Sequence, residues 1–185
     1  MIDEILLDTE EKMEKTVQFL KQELSGLRTG KANPALVDTI TVDYYGTPTR
    51  LRDIANISTP EPRLIVVNPF DPSSLGLIEK AIVAANIGIT PMNDGRLIRV
   101  PIPELSEERR KDMVKIAGRS TEEQRIAVRN IRRDSNEQVK AMQKKGDITE
   151  DDRDDALEQI QKVTDENIKK MDEMLVAKEK DIMEV

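Results

Sequence analysis

Apolar residues recur at alternating steps of three and four along the first part of the 185-residue chain, from Ile2 to Leu27. This spacing places them on one side of a helix, and no proline interrupts it. The pattern predicts a helix to about Arg28, with Gly26 and Gly30 loosening its end. The predicted inner face consists of Ile2, Leu6, Thr9, Met13, Val17, Leu20, Leu24 and Leu27.

Two further helices are predicted in the second half of the chain. Ser106, followed by two glutamates, is typical of a helix start, and Gly146 of a helix end. Thr149 and Asp152 have the spacing of a capping box, so a third helix is expected to begin there. The predicted inner face of the second helix is Met113, Ile116, Ala117, Ser120, Gln124, Ala127, Ile131, Gln138 and Met142. That of the third is Leu157, Ile160, Thr164, Ile168, Met171, Leu175 and Ile182.

The segment between these helices, 31–104, has a different pattern and most of the prolines and glycines. Apolar and polar residues alternate over Val37–Tyr44, which predicts a half-buried strand followed by a hairpin turn. Leu64–Val67 and Leu97–Val100 are further strand candidates. Between them, Asp71–Ala85 begins with an N-cap and a proline and continues with helical spacing, so one helix is expected to pack on the sheet.

These elements predict an α+β protein made of a long three-helix bundle and an inserted β/α/β domain. The bundle is expected to comprise 1–29 and 105–185, because long amphipathic helices can bury their apolar faces only against each other. The insertion is expected to span 30–104. The chain crosses between the two domains twice, and two adjacent crossings predict a hinge. The predicted hinge residues are Gly30, Lys31, Pro101, Pro103, Glu104 and Leu105.

Composition excludes several classes of site. The chain has no Cys and no His, so thiolate metal sites, disulfides and nucleophiles activated by histidine are impossible. The acidic run 147–155 lacks the ligand spacing and central glycine of a calcium loop. The run 26–31, GLRTGK, has three residues rather than four between its glycines, and alanine follows the lysine, so it is not a phosphate loop. We therefore expect no metal, no cofactor and no catalysis.

No stretch resembles a signal peptide or a membrane span. We accordingly expect a cytoplasmic protein with no membrane partner.

Charge is distributed unevenly along the chain, whose formal net charge is -7. Between Leu105 and Gly146 there are twelve Lys and Arg residues against seven Asp and Glu residues, whereas the rest of the chain is acidic. On a helical wheel, basic residues cluster about 120° from the centre of the predicted apolar face. This arginine stripe consists of Arg125, Arg129 and Arg132, with Asn136 and Lys140 in phase, Arg133 beside it and Arg110 on the same side.

No acid lies between Arg125 and Arg133, so the stripe is expected to be uncompensated on its own helix. Arginine forms forked contacts to phosphate, and the composition therefore favours docking onto RNA over an ordinary solvated helix face. Near the end of the first helix, Arg28 and Lys31 offer further phosphate contacts.

Six blocks of the sequence, in order along the whole chain, closely resemble the ribosome recycling factor family. They are SGLRTGKANPAL (25–36), VDYYGTPT (42–49), EKAI (79–82), NDGRLIRVPIP (93–103), EERRKDMVK (107–115) and VRNIRRD (128–134). Arg50 follows YYGTPT at a position where the family pattern leads us to expect proline.

The resemblance implies an L-shaped two-domain protein that binds the large (50S) ribosomal subunit and its 23S rRNA. It implies that, together with GTP-bound elongation factor G, the protein splits the ribosome after termination and frees it from mRNA. It also implies that exposed basic residues contact rRNA, at positions matching Arg28, Arg110, Arg129 and Arg132. The small domain would meet elongation factor G, and the factor would act as a monomer.

Two other functions fit parts of the sequence. A coiled-coil adaptor would bind helices of another protein without RNA, and would tolerate loss of Arg132. A hydrolase based on carboxylates would need two converging acids, and nothing in the sequence brings such a pair together.

Overall fold

The computed structural model describes residues 1–184, and the chain divides into two compact units. One unit comprises Met1–Leu27 and the chain from Lys111 onward, and the other comprises Arg28–Arg110. The domain boundaries inferred from the sequence, at 29/30 and 104/105, stay a prediction. Contacts within the structure divide the chain at 27/28 and 110/111.

Five helices and six strands make up the described part of the chain. The helices are α1 (Ile2–Ser25), α2 (Leu51–Ile54), α3 (Leu75–Ala84), α4 (Glu107–Lys145) and α5 (Glu150–Met183). The strands are β1 (Thr41–Tyr44), β2 (Thr47–Arg50), β3 (Ala55–Glu61), β4 (Leu64–Pro69), β5 (Met92–Asn93) and β6 (Ile98–Pro101). The α+β class predicted from the sequence is confirmed. None of the described helices is long and apolar enough to cross a membrane.

Local sequence signals set the ends of the long helices. The chain leaves α4 through Gly146, whose φ of +81° lies in the left-handed region that glycine adopts without strain. The Thr149 side chain then accepts a hydrogen bond from the backbone of Asp152, and the Asp152 carboxylate accepts one from the backbone of Thr149. This reciprocal pair is the predicted capping box.

The three long helices share an apolar core. Most of the buried side chains of α1 and α5 belong to the inner faces predicted for these two helices, which confirms both helical patterns. The larger part of the core consists of Met13, Val17, Leu20, Leu24, Ala117, Val128, Met171 and Ile182. A smaller cluster consists of Val139, Ala156 and Ile160.

The inner face predicted for α4 was wrong in part. Ile116 and Gln138 are exposed, whereas four other residues on this helix are buried: Thr121, Val128, Ser135 and Val139. The buried face is therefore rotated by about 60° towards the arginine stripe. The physical reason lies in the partners of the small polar residues. The hydroxyl of Ser135 pairs with Thr9 Oγ1 of α1 at 2.6 Å, which lets both enter the core.

The smaller unit contains two antiparallel sheets. One is the hairpin of β1 and β2, and the other has the strand order β3, β4, β6, β5. Helix α3 places Leu75, Ile78 and Ile82 in the core of this unit, and buried residues of β4 and β6 alternate with more exposed ones, as predicted. The core consists of Val37, Val42, Leu51, Ile54, Ala55, Ile65, Val67, Leu75, Ile78, Ile82, Ile89, Ile98, Val100 and Ile102.

The first predicted strand is shorter than expected, because only Thr41–Tyr44 is extended. Pro34–Leu36 forms a 3₁₀ turn that Asn33 caps, and Ile40 still donates its backbone N–H to Val37. These local hydrogen bonds keep the start of the segment out of a ladder. Strand β3 was missed because its outer half, STPE, carries no alternation of apolar and polar residues.

The hairpin expected after Tyr44 is present. Tyr45 and Gly46 have φ values of +49° and +85°, as two-residue hairpin turns require. Tyr44 is half-buried and Tyr45 is 66% exposed, and both phenolic O–H groups donate to Asp71 Oδ2 at 3.3 Å. Arg50 is exposed at the end of β2, where it pairs with Thr41.

Candidate nucleic-acid interface

Arg125 is a bundle residue rather than part of an open basic surface. Its side chain is only 21% exposed, and its Nε donates to Asp172 Oδ1 of α5 at 2.8 Å. Nη2 contacts the same oxygen, and Nη1 donates to Glu122 at 2.9 Å. Two acids thus neutralise this arginine, and the expectation of an uncompensated stripe was wrong at this position.

The ion pairs of Arg125 shift the pKa values of the groups involved. Burial favours its neutral form, but the hydrogen bonds to Asp172 and Glu122 outweigh burial, so the pKa of the guanidinium lies above its usual value. The hydrogen bond from Arg125 likewise lowers the pKa of the Glu122 carboxyl. Charged forms of both side chains are therefore favoured together, and Arg125 has little charge left for an external phosphate.

Arg129, Arg132 and Arg133 are more open. Arg129 is 42% exposed and contacts Glu122 Oε1 at 3.4 Å, a long and single ion pair. Arg132 is half-buried beside α5 and donates to Gln161 Oε1 at 3.5 Å, so its only hydrogen-bond partner in the described chain is neutral. Arg133 is exposed and has no ion pair among residues 1–184.

These three arginines span about one turn of a rigid helix, roughly 6 Å along its axis. Their guanidinium groups offer forked N–H donors to which phosphate oxygens are well matched. The geometry supports contact with a polyanion at this part of α4.

The other two predicted RNA-binding residues belong to the smaller unit. Arg110 is half-buried, and its Nε donates to the carbonyl of Leu105 at 3.4 Å. Arg28 follows α1, and its guanidinium lies against Gly88. Arg28 and Leu105 also line one small apolar pocket. The structure thus brings both arginines close to Leu105, although Arg28 and Arg110 are far apart in the sequence.

The predicted hinge residues occupy two adjoining segments of chain. Gly30 has a φ of +77°, and a Cβ built on it would lie 3.7 Å from the side chain of Leu105. Lys31 is exposed, and Pro103 lines the same pocket as Gly30. Gly30, Pro103 and Leu105 are thus neighbours, and their role as a hinge stays a prediction.

Hydrogen bonds attach both segments to the turn between β3 and β4. Ala32 donates to the Pro62 carbonyl at 2.6 Å, and Ile102 donates to the Arg63 carbonyl at 2.8 Å. Glu104 forms an ion pair with Arg63. Pro101 is the last residue of β6 and lies opposite Leu64. Rotation of the backbone at Pro101 would therefore disrupt the sheet.

Among the described residues, no group of three or more acidic side chains could hold a metal ion.

Residues 20–183 match the model of the family described as ribosome recycling factor. The chain belongs to the ribosome recycling factor family. Ribosome-recycling factor of Syntrophomonas wolfei subsp. wolfei is 52% identical over 185 residues, which cover 100% of both chains. Ribosome-recycling factor of Bacillus subtilis is 48% identical over 185 residues, again 100% of both.

Solved structures of ribosome recycling factors share the fold. A solution structure of the ribosome recycling factor has a TM-score of 0.83 and 39% identity, with 100% of this chain and 98% of that one covered. A second neighbour has a TM-score of 0.71 and 41% identity, with 99% of each chain covered. It is described as a model of the Thermus thermophilus ribosome recycling factor, with Escherichia coli elongation factor G, bound to the Escherichia coli post-termination complex.

Proposed function

We propose that this protein recycles ribosomes after termination. It binds the large (50S) subunit through 23S rRNA and, with GTP-bound elongation factor G, splits the ribosome into subunits and frees the mRNA. Membership of the ribosome recycling factor family over nearly the whole chain carries this proposal. The solved relative described together with elongation factor G on a post-termination complex supports the choice of partners.

The rRNA contact is made chiefly by Arg129, Arg132 and Arg133, with Arg28 and Arg110 as further contacts. Three arginines on one turn of a long helix support this assignment, because a rigid helix holds its charges at set distances. Electrostatic anchoring of this kind requires no bond chemistry. We therefore assign the chain no catalytic activity of its own, since elongation factor G supplies GTP hydrolysis.

Transmission of force from one domain to the other requires a hinge between them. In this proposal the bundle domain, 1–29 with 105–185, is anchored to rRNA, and the inserted domain, 30–104, receives the push of elongation factor G. The hinge lies at Gly30 with Lys31 and around Leu105, because these residues lie outside the ladder of hydrogen bonds that holds Pro101 in the sheet. The factor works as a monomer in the cytoplasm.

The decisive experiment is sedimentation of the full chain with isolated large subunits across a salt series. Arg132→Ala and Arg129→Ala are compared with Arg119→Ala, which removes the same charge about 15 Å before Arg129 along the axis of α4. We expect the first two to weaken binding about tenfold and to reduce the salt slope by about one, and the control to change little. Equal slopes in all four proteins would refute the assignment of this surface.

A second assay tests the role in recycling. Wild type with elongation factor G and GTP is expected to split post-termination ribosomes, and Arg132→Ala is expected to split them more slowly. An adaptor that binds only protein helices would show weak salt dependence and would tolerate Arg132→Ala.

A further inference from the structure

Gly88 lies in the connection between α3 and β5, where the chain approaches Arg28 closely. A Cβ built on Gly88 would lie 3.0 Å from both Nη1 and Nη2 of Arg28 and 3.5 Å from its Cζ. The nearly equal distances mean that the edge of the guanidinium carrying both Nη atoms points at this glycine. Any side chain at position 88 would meet the charged end of Arg28.

The backbone at Gly88 is held in place on both sides. Ile89 is buried in the core of the smaller unit, and Ile87 packs against that core. Gly88 itself has a φ of +73°, so the chain turns here in a conformation that L side chains rarely adopt. Because its neighbours are anchored, the residue is unlike a glycine in a loose loop and cannot move away from Arg28 without disturbing the core.

Arg28 has a defined position but no anionic partner. Its side chain lines an apolar pocket with Leu36, Ile89 and Ile102, which is where the aliphatic stem can pack. In the described part of the chain its guanidinium forms no hydrogen bond and no ion pair. This arrangement contrasts with Arg125, which two carboxylates neutralise. Apart from the edge that faces Gly88, the N–H groups of Arg28 thus meet no carboxylate of the described chain and remain available to an external anion.

We infer that Gly88 is a positioning residue for RNA binding. Because it lacks a side chain, it leaves a space, here called the seat, that the Arg28 guanidinium occupies. This space fixes the position of the guanidinium before it binds an rRNA phosphate. The inference deepens the proposed function and rests on it, because it names a residue that acts on the large subunit only through Arg28. A preset guanidinium loses less conformational entropy on binding than a free one.

A matched glycine in the same unit separates this role from backbone strain. Gly95 has a φ of +90°, and a Cβ there would meet nothing within 4 Å. Alanine at 88 and at 95 therefore introduces similar strain, but only at 88 does it crowd Arg28. Asparagine provides a second test, since it tolerates positive φ better than alanine yet has a larger side chain.

The experiment measures binding of full-length variants to isolated large subunits across a salt series. We expect Arg28→Ala to weaken binding about tenfold and to reduce the salt slope by about one. Gly88→Ala should weaken binding about threefold, and Gly88→Asn should approach Arg28→Ala, because the larger side chain occupies more of the seat. Gly95→Ala and Gly95→Asn should bind like the wild type.

A double-mutant cycle tests whether Gly88 acts through Arg28. In the Arg28→Ala background, Gly88→Asn is expected to cause no further loss of affinity. The inference is overturned if that loss persists, if the Gly88 variants bind like those of Gly95, or if asparagine is milder than alanine at position 88.

Arg132→Ala distinguishes this failure from failure of the proposed function. If Arg132→Ala weakens binding while the Gly88 variants do not, only the role of Gly88 falls. If wild-type binding does not depend on salt, the rRNA contact itself is refuted.

Discussion

Arg125 and Arg132 lie two turns apart on α4, yet the structure predicts opposite consequences for their loss. Arg125 is mostly buried and paired with Asp172, whereas Arg132 meets only the neutral Gln161. Replacing each with alanine removes the same charge. We expect Arg125→Ala to reduce stability with little effect on large-subunit binding, and Arg132→Ala to do the reverse.

The magnitude for Arg125 follows from its surroundings. Loss of a partly exposed ion pair with Asp172 is expected to cost about 1 kcal/mol, and loss of the buried aliphatic stem about another 1 kcal/mol. A total of about 2 kcal/mol corresponds to a fall in Tm of roughly 4–8 °C in a chain of this size. Arg132→Ala, at a half-exposed site without an acidic partner, should change stability by less than about 0.5 kcal/mol.

The assay combines urea unfolding, followed by far-UV circular dichroism, with sedimentation on large subunits. Arg119→Ala again serves as the control for charge, because Arg119 is exposed and lies elsewhere on α4. The reasoning would be refuted if Arg125→Ala unfolded like the wild type. It would also be refuted if Arg125→Ala and Arg132→Ala weakened binding equally.

Further predictions concern the helices. Thr9→Val should lower the free energy of unfolding by about 1–2 kcal/mol, because it leaves the buried Ser135 hydroxyl without its partner. Adding Ser135→Ala to that variant should restore much of the lost stability. Thr16→Val is the control in urea unfolding, because the Thr16 hydroxyl bonds only within its own helix. Thr149→Ala should cost about 1 kcal/mol by removing the N-cap of α5. Hydrogen bonds from Thr149 lower the pKa of the Asp152 carboxyl below its ordinary value, so the cap stabilises the fold above that ordinary pKa and loses this contribution as the pH falls through the folded-state pKa. The difference between Thr149→Ala and wild type in acid titrations should therefore shrink below about pH 4.

Much of the fold followed from short-range patterns. The apolar spacing of α1 and α5, the capping box at Thr149 and the glycine after α4 each involve residues within a few turns of one another. Local backbone geometry and helical phase decide such features, so the sequence displays them directly. The hairpin at Tyr45 and Gly46 belongs to the same class.

Strand β3 and the inner face of α4 were harder to predict. The outer half of β3 has no periodic pattern, and only its antiparallel pairing with β4 identifies it as a strand. On α4 the buried positions include Thr121 and Ser135, which resemble surface residues in composition. Ser135 is buried because Thr9 of another helix accommodates its hydroxyl.

The sequence by itself determined that α4 carries an arginine stripe, because helical phase depends only on spacing along the chain. Only the tertiary structure decided which of those arginines remain open. Asp172 is 47 residues from Arg125 and neutralises it, whereas Gln161, a neutral residue, lies beside Arg132. Gly88 is likewise distant from Arg28 in the sequence, and their contact exists only in the folded chain. Charge and phase are properties of one segment, but the pairing and seating of a charge depend on which other segments pack against it.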